Sequence, residues 1–124
     1  MAMMTVYEVQ YTRLPAFHAA IYIQRDEAGG LLYHAVGSGV AGFQYEACAT
    51  KRPQKTRSFY RMWPKGRVAV QDLPRVDLIC QEVPVPRVQM VSGVHIQRDC
   101  RHWVYEALKD LRAAGVLQEI SQKQ

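Results

Sequence analysis

Apolar and polar positions alternate along most of the first two thirds of the chain, and a two-residue period predicts strands. TVYEVQYT, from Thr5 to Thr12, alternates as a half-buried strand does. Pro15 breaks it, and AFHAAIYIQ, from Ala16 to Gln24, follows as a more continuously apolar strand. DEAGG predicts a turn, and LLYHAVGSG, from Leu31 to Gly39, a third strand ending in glycines. GFQYEACAT carries the pattern on from Gly42 to Thr50. Farther along, YRMWPKGRV reads as strand, Pro-Gly-containing turn, strand, and DLICQEV, from Asp77 to Val83, as another extended segment. Pro84 and Pro86 stiffen VPVPR and disfavour helix in the residue before each. MVSGVHIQ then leads into a different pattern, and LQEISQKQ closes the chain as a short tail.

That different pattern is helical. In RDCRHWVYEALKDLRAAG, Trp103, Val104, Ala107, Leu108 and Leu111 recur at the three- and four-residue spacing that builds one apolar stripe. Asp99 suits the N-cap, because its carboxylate can accept from an unpaired N–H of the first turn. Gly115 supplies the stop. The prediction is a helix over Asp99–Ala114 laid against an antiparallel sheet, an α+β arrangement with one principal helix.

Composition narrows the class. The chain has 124 residues, 48% of them hydrophobic and 22% charged, which suits one globular domain spanning 1–124. No apolar run approaches the roughly 18 to 20 residues of a membrane span, and MAMMTVYEVQYT lacks the order of a signal peptide. Cys48, Cys80 and Cys100 cannot all pair within the chain, and no CxxC occurs, so neither a disulfide framework nor a zinc knuckle is indicated. A cytoplasmic home without cofactor or metal is the simplest expectation, with homo-oligomerisation open.

The net charge of +5 is unevenly spread. Lys51, Arg52, Lys55, Arg57, Arg61, Lys65 and Arg67 follow one another with no acidic residue among them, interleaved with Phe59, Tyr60 and Trp63. Such a segment can serve nucleic acid, with bases stacked on rings. A strand whose rings face the core and whose arginines face water is the better reading, so nucleic acid is not the expected partner. An anionic substrate or carrier remains compatible with the patch.

Chemistry concentrates elsewhere. Cys100 falls at the first helical position, where the partial positive charge of the helix end favours a thiolate. A reactive thiol also needs a base. His18 sits inside FHAAIYI and His34 inside LLYHAVG, so a hairpin through DEAGG would put both imidazoles on one ribbon, where His34 could orient His18. His95 and His102 are weaker choices, and His102 points well round the helix from Cys100. A lone histidine in a strand is most often a hydrogen-bonded core residue; two on neighbouring strands with a helix-start cysteine make a less ordinary set.

Histidine on a strand, a second histidine on the next strand, then cysteine opening a late helix resembles the circularly permuted papain-like thiol enzymes, in particular the lecithin–retinol acyltransferase-like and NlpC/P60-related proteins. FHAAIYI is similar to their base-bearing strand, LLYHAVG to the strand that follows, and Asp99-Cys100-Arg101-His102-Trp103-Val104 to their Asn-Cys-x-His-aromatic-Val helix start. Small uncharacterised fungal domains with a Cys-Arg-aromatic-Trp-Val helix start look similar as well. Asp99 stands where Asn is usual, Ala19 where Trp is common, and the acyltransferases' membrane anchor is missing. The resemblance implies a permuted papain-like fold and a cysteine-dependent hydrolase or acyltransferase acting on an amide, ester or thioester of a small-molecule, acyl or peptidyl substrate. Cys100 would be the nucleophile, His18 the base and His34 its orienter, with Tyr22, Trp103 and Arg61 as substrate contacts. His18 is then expected near Cys100, with about 3 to 5 Å between ring nitrogen and sulfur; the two side chains on opposite sides of the sheet would end this reading. A cyclase or isomerase using the same groups, and a binding module working through 51–67, are the alternatives.

Overall fold

The structure, a computed structural model, describes residues 2–12, 17–38, 42–86, 88–91, 94–97 and 100–119. Five antiparallel strands form the main sheet: β1 (Met3–Thr12), β2 (Phe17–Asp26), β3 (Gly29–Ser38), β4 (Gly42–Lys51) and β5 (Phe59–Ala69), in the order β4-β3-β2-β1-β5. Two helices, α1 (Leu73–Glu82) and α2 (Cys100–Ala113), accompany it, with a small hairpin of β6 (Val88–Val91) and β7 (Val94–Gln97) between them. The chain is α+β, as the strand alternation and the helical stripe predict.

Alternation divides the sheet into two faces. Met4 and Val6 of β1, Ala19, Ile21 and Ile23 of β2, and Tyr33 and Ala35 of β3 share one face and the main core. Trp103, Val104, Ala107, Leu108 and Leu111 pack onto that face as the predicted α2 stripe. Burying each large side chain contributes about 1.5–3 kcal/mol, so this interface dominates the fold. Val9, Tyr11, Ala20, Tyr22 and Leu32 form a smaller cluster on the opposite face.

Three sequence expectations change. DLICQEV is not extended: α1 runs through it, burying Val76 and Cys80, and Pro74 sits in its first turn, where a missing N–H removes no helical bond. The sheet thus has two helices beside it rather than one. YRMWPKGRV is not a hairpin either but part of the single strand β5, whose register against β1 shifts between Val6↔Gly66 and Tyr7↔Pro64. Pro-Lys-Gly makes a bulge there instead of a turn, and β5 lies at the sheet edge, where proline is tolerated. The tail is also partly built in, since Arg67 and Gln118 exchange backbone hydrogen bonds of 2.7 and 2.8 Å.

α2 begins at Cys100 as predicted, and Gly115, at φ 75°, ends it in the left-handed conformation that glycine adopts freely. The Asp99 cap and the break at Pro15 lie outside the described residues.

Candidate active site

The site begins where two strands part. β2 and β3 pair from Asp26↔Gly29 as far as Ile21↔Tyr33 and no farther, although β3 continues beside β4 to Ser38. Ala20, Ala19 and His18 therefore keep β1 on one side and have no β3 ladder partner on the other. The freed N–H of Ala19 donates to the Sγ of Cys100 at 3.3 Å. The first residue of α2 thus fills the seam, with its sulfur at the level of the β2 backbone, and Cys100 is 6% exposed.

His18 precedes Ala19, so its side chain leaves β2 toward the opposite face. There Nε2 of His18 lies 2.8 Å from Nδ1 of His34, the rings set edge to face. Nε2 of His34 lies 2.8 Å from a carboxylate oxygen of Glu46, its direct partner across the β3–β4 ladder. Tyr11, opposite His18 on β1, stacks on the His18 ring with centroids 6.1 Å apart. Both imidazoles are buried, whereas the Glu46 side chain is 52% exposed. The relay runs from solvent-reaching carboxylate through His34 to His18 on the face away from α2, whereas the Cys100 sulfur comes from the α2 side and reaches the β2 backbone at Ala19, where β3 is no longer paired.

The direction of this relay follows from valence. A carboxylate only accepts, so Nε2 of His34 carries the proton that Glu46 receives. Nδ1 of neutral His34 is then an acceptor, and Nε2 of His18 donates to it. The basic lone pair of neutral His18 is left on Nδ1.

The other two thiols differ. Cys80 is wholly buried, and burial, with the charges of Asp77 and Asp110, pushes its thiol up to about 12. Burial and the neighbouring Glu46 raise Cys48 as well. Cys48 nonetheless sits on the exposed edge strand β4, and its sulfur, a Glu46 oxygen and a His34 nitrogen lie within 4.8 Å of one another.

Of the expected substrate contacts, two are placed in packing. Tyr22 is fully buried in the smaller cluster, donating its hydroxyl to Gln24, and Trp103 is 1% exposed against Tyr45 in the main core. Neither offers a surface to a ligand in this conformation. Arg61 is exposed on β5, its guanidinium over Tyr60 and Trp63 and its Nε donating to the buried Gln10 at 3.2 Å. Lys65 lies over Trp63 and pairs with Glu8 at 3.5 Å. These two cations of the basic segment are thus held by rings and polar side chains of their own domain. His102 is exposed on α2, and the side chain of His95 lies outside the described residues.

Glu46 is the residue that sequence reasoning missed. The available signal is its distance from the glycine-rich turn: His34 and Glu46 lie equally far from position 40, so a symmetric hairpin pairs them.

The profile of a family of unknown function (DUF6540) matches residues 6–118. No curated protein and no solved structure matches the chain.

Proposed function

The chain belongs to this family of unknown function, DUF6540, and we propose from its own geometry that it is a cysteine-dependent hydrolase or acyltransferase working through a thioester on Cys100. The observation that carries this reading is the hydrogen-bonded relay Glu46–His34–His18, ending one residue from the N–H that holds the Cys100 sulfur. A buried histidine pair oriented by a carboxylate, one residue from the N–H that holds a helix-start thiol, supplies the groups that nucleophilic catalysis needs. The permuted papain-like resemblance agrees with it and supplies no more than an analogy of site.

In this mechanism Nδ1 of His18 takes the thiol proton through the seam. The N–H of Ala19 and the start of α2 stabilise the sulfur's negative charge. Sulfur then bonds to the carbonyl carbon of an amide, ester or thioester. The backbone N–H of Cys100, among the first-turn groups that lack helical partners, stabilises the oxyanion. His18 returns its proton to the departing amine, alkoxide or thiolate as that bond breaks. Water or another nucleophile, deprotonated by the same nitrogen, releases the acyl group and regenerates the thiol.

Alkylation kinetics test the reading. With iodoacetamide at about pH 6.5, well below an ordinary thiol pKa of about 8.5, Cys100 is expected to react first of the three cysteines, scored by peptide mass. His18→Ala should slow that reaction far more than His34→Gln, since a general base is worth about a hundred- to ten-thousand-fold and the proposed mechanism gives that role to His18. Equal rates at all three thiols, or no response to His18→Ala in a folded protein, would make His18 a core histidine and overturn the mechanism.

A further inference from the structure

The relay has a second use that its residue types allow. His34, Glu46 and Cys48 are an imidazole, a carboxylate and a thiol, the three donor types that bind zinc-like cations. Two neighbouring strands present them on one face: His34 and Glu46 are direct ladder partners, and Cys48 lies two residues along β4. Their donor atoms already lie within 4.8 Å of one another. Bond lengths of about 2.0–2.3 Å around a tetrahedral ion need donors roughly 3.3–3.8 Å apart, a spacing that small rotations of the exposed Glu46 and Cys48 side chains would supply. β4 is an exposed edge strand, so an ion has a path in.

The geometry points to a regulatory site for a zinc-like divalent cation on His34, Glu46 and Cys48, with solvent as the fourth ligand, that switches off Cys100. The site stands on these three residues; the switch rests on the thiol-enzyme reading above. A metal ion on Nε2 of His34 takes the lone pair of that nitrogen, so the ring proton moves to Nδ1. His34 then donates to Nε2 of His18 instead of accepting from it, because the 2.8 Å contact holds only one proton between the two nitrogens. Neutral His18 must carry its own proton on Nδ1, the nitrogen that faces the thiol in the mechanism. Protonating His18 fully would set two N–H groups against each other. Ion binding therefore reverses the relay and puts a proton on the His18 nitrogen to which the mechanism gives the role of base. Cys48 loses its proton to solvent as it binds, which balances the charge at the metal.

Cobalt(II) reports the site without any assay of activity. The full-length protein, titrated anaerobically with cobalt(II), should develop a thiolate-to-cobalt charge-transfer band with four-coordinate ligand-field bands. Cys100→Ser should keep that band, Cys48→Ser should abolish it, and Glu46→Gln should weaken binding by about tenfold or more, as loss of a group at a metal site does. Cys48 is exposed, so its serine variant should keep the wild-type circular dichroism. No band, or one that survives Cys48→Ser, overturns the site. In the second measurement, zinc(II) should slow alkylation of Cys100 by about tenfold or more in the wild type, the lower end of what a general base is worth, and leave Cys48→Ser unaffected. Equal slowing in both proteins overturns the switch, because zinc would then be acting on Cys100 directly. If Cys100 is unreactive without metal, the thiol-enzyme reading and the switch fail together, while the cobalt spectrum still decides the site.

Discussion

At the scale of single residues, Glu46 is the group that gives the site a direction. His18 and His34 alone could share their proton either way round, and only one arrangement leaves the basic lone pair of His18 on Nδ1. An acceptor-only carboxylate 2.8 Å from His34 selects that arrangement. Glutamine at this position could turn either its oxygen or its NH2 toward His34, so the choice would be lost while the shape stayed. If the proposed thiol chemistry holds, Glu46→Gln is expected to lower turnover at least about tenfold, and up to the ten-thousand-fold that loss of a tautomer-fixing carboxylate can reach. Its unfolding midpoint should barely move, because the side chain is half exposed and an exposed pair is worth about 0–1 kcal/mol. Steady-state kinetics beside a urea titration check both halves. Unchanged turnover in a fully folded variant would remove Glu46 from the relay.

At the scale of elements, the legible parts were those whose period is long and unbroken. β1 and β4 alternate, β2 and β3 are apolar runs bounded by turn residues, and α2 carries a full apolar stripe, so all of them could be read from the sequence. α1 was hidden because DLICQEV, taken alone, is short and apolar, whereas Val76, Cys80 and Val83 show a helical spacing only when the window reaches back to Val76. Pro64-Lys65-Gly66 carries turn chemistry, and only the position of β5 at an edge makes it a bulge; edge position is a property of the sheet, not of the segment. The candidate site divides the same way. Cys100, His18 and His34 stand out as chemistry-bearing residues in apolar settings, but Glu46 and Cys48 acquire meaning only from the β3–β4 register. One consequence of the β5 bulge is open to measurement. A Cβ at Gly66 would lie 2.5 Å from the carbonyl oxygen of Gln118 and 2.7 Å from the Leu117 side chain. Gly66→Ala should therefore push the C-terminal segment off Arg67 and lower stability by about 1–3 kcal/mol, the usual range for overpacking. The amides of Arg67 and Gln118 should lose hydrogen-exchange protection selectively. A variant with wild-type protection at both amides would show that the bridge adapts.

At the scale of the whole molecule, the main core and its margin hold acids that burial keeps neutral above their ordinary titration range. Cys80 of α1 is pushed from 9.0 to about 12 by burial and by Asp77 and Asp110, and Tyr33 of β3 from 10.0 to about 12 by burial first and then Cys80 and Asp77. Tyr45 of β4 is raised too, by burial and by donating its hydroxyl to Asp77 at 2.6 Å. These groups join the sheet to α1, so their neutral forms are a condition of that packing. Each has a higher pKa folded than unfolded, and at alkaline pH the unfolded chain therefore binds fewer protons than the native one. Stability must then fall as pH rises, with a slope of about 1.4 kcal/mol per pH unit for each proton of difference. The contribution of Cys80 is complete below pH 9.0 and disappears as pH climbs toward about 12; those of the tyrosines begin to fall one unit higher, near 10.0. The slope should accordingly start near one proton and steepen once the tyrosines join. Urea unfolding from about pH 8 to about pH 11, across the ordinary thiol and phenol range, measures it directly. Cys80→Ala leaves a cavity and lowers stability throughout, but it should also move the onset of the alkaline decline from the thiol range to the phenol range. If the onset stays where it was in the wild type, the decline originates outside this core and Cys80 ionises as freely folded as unfolded.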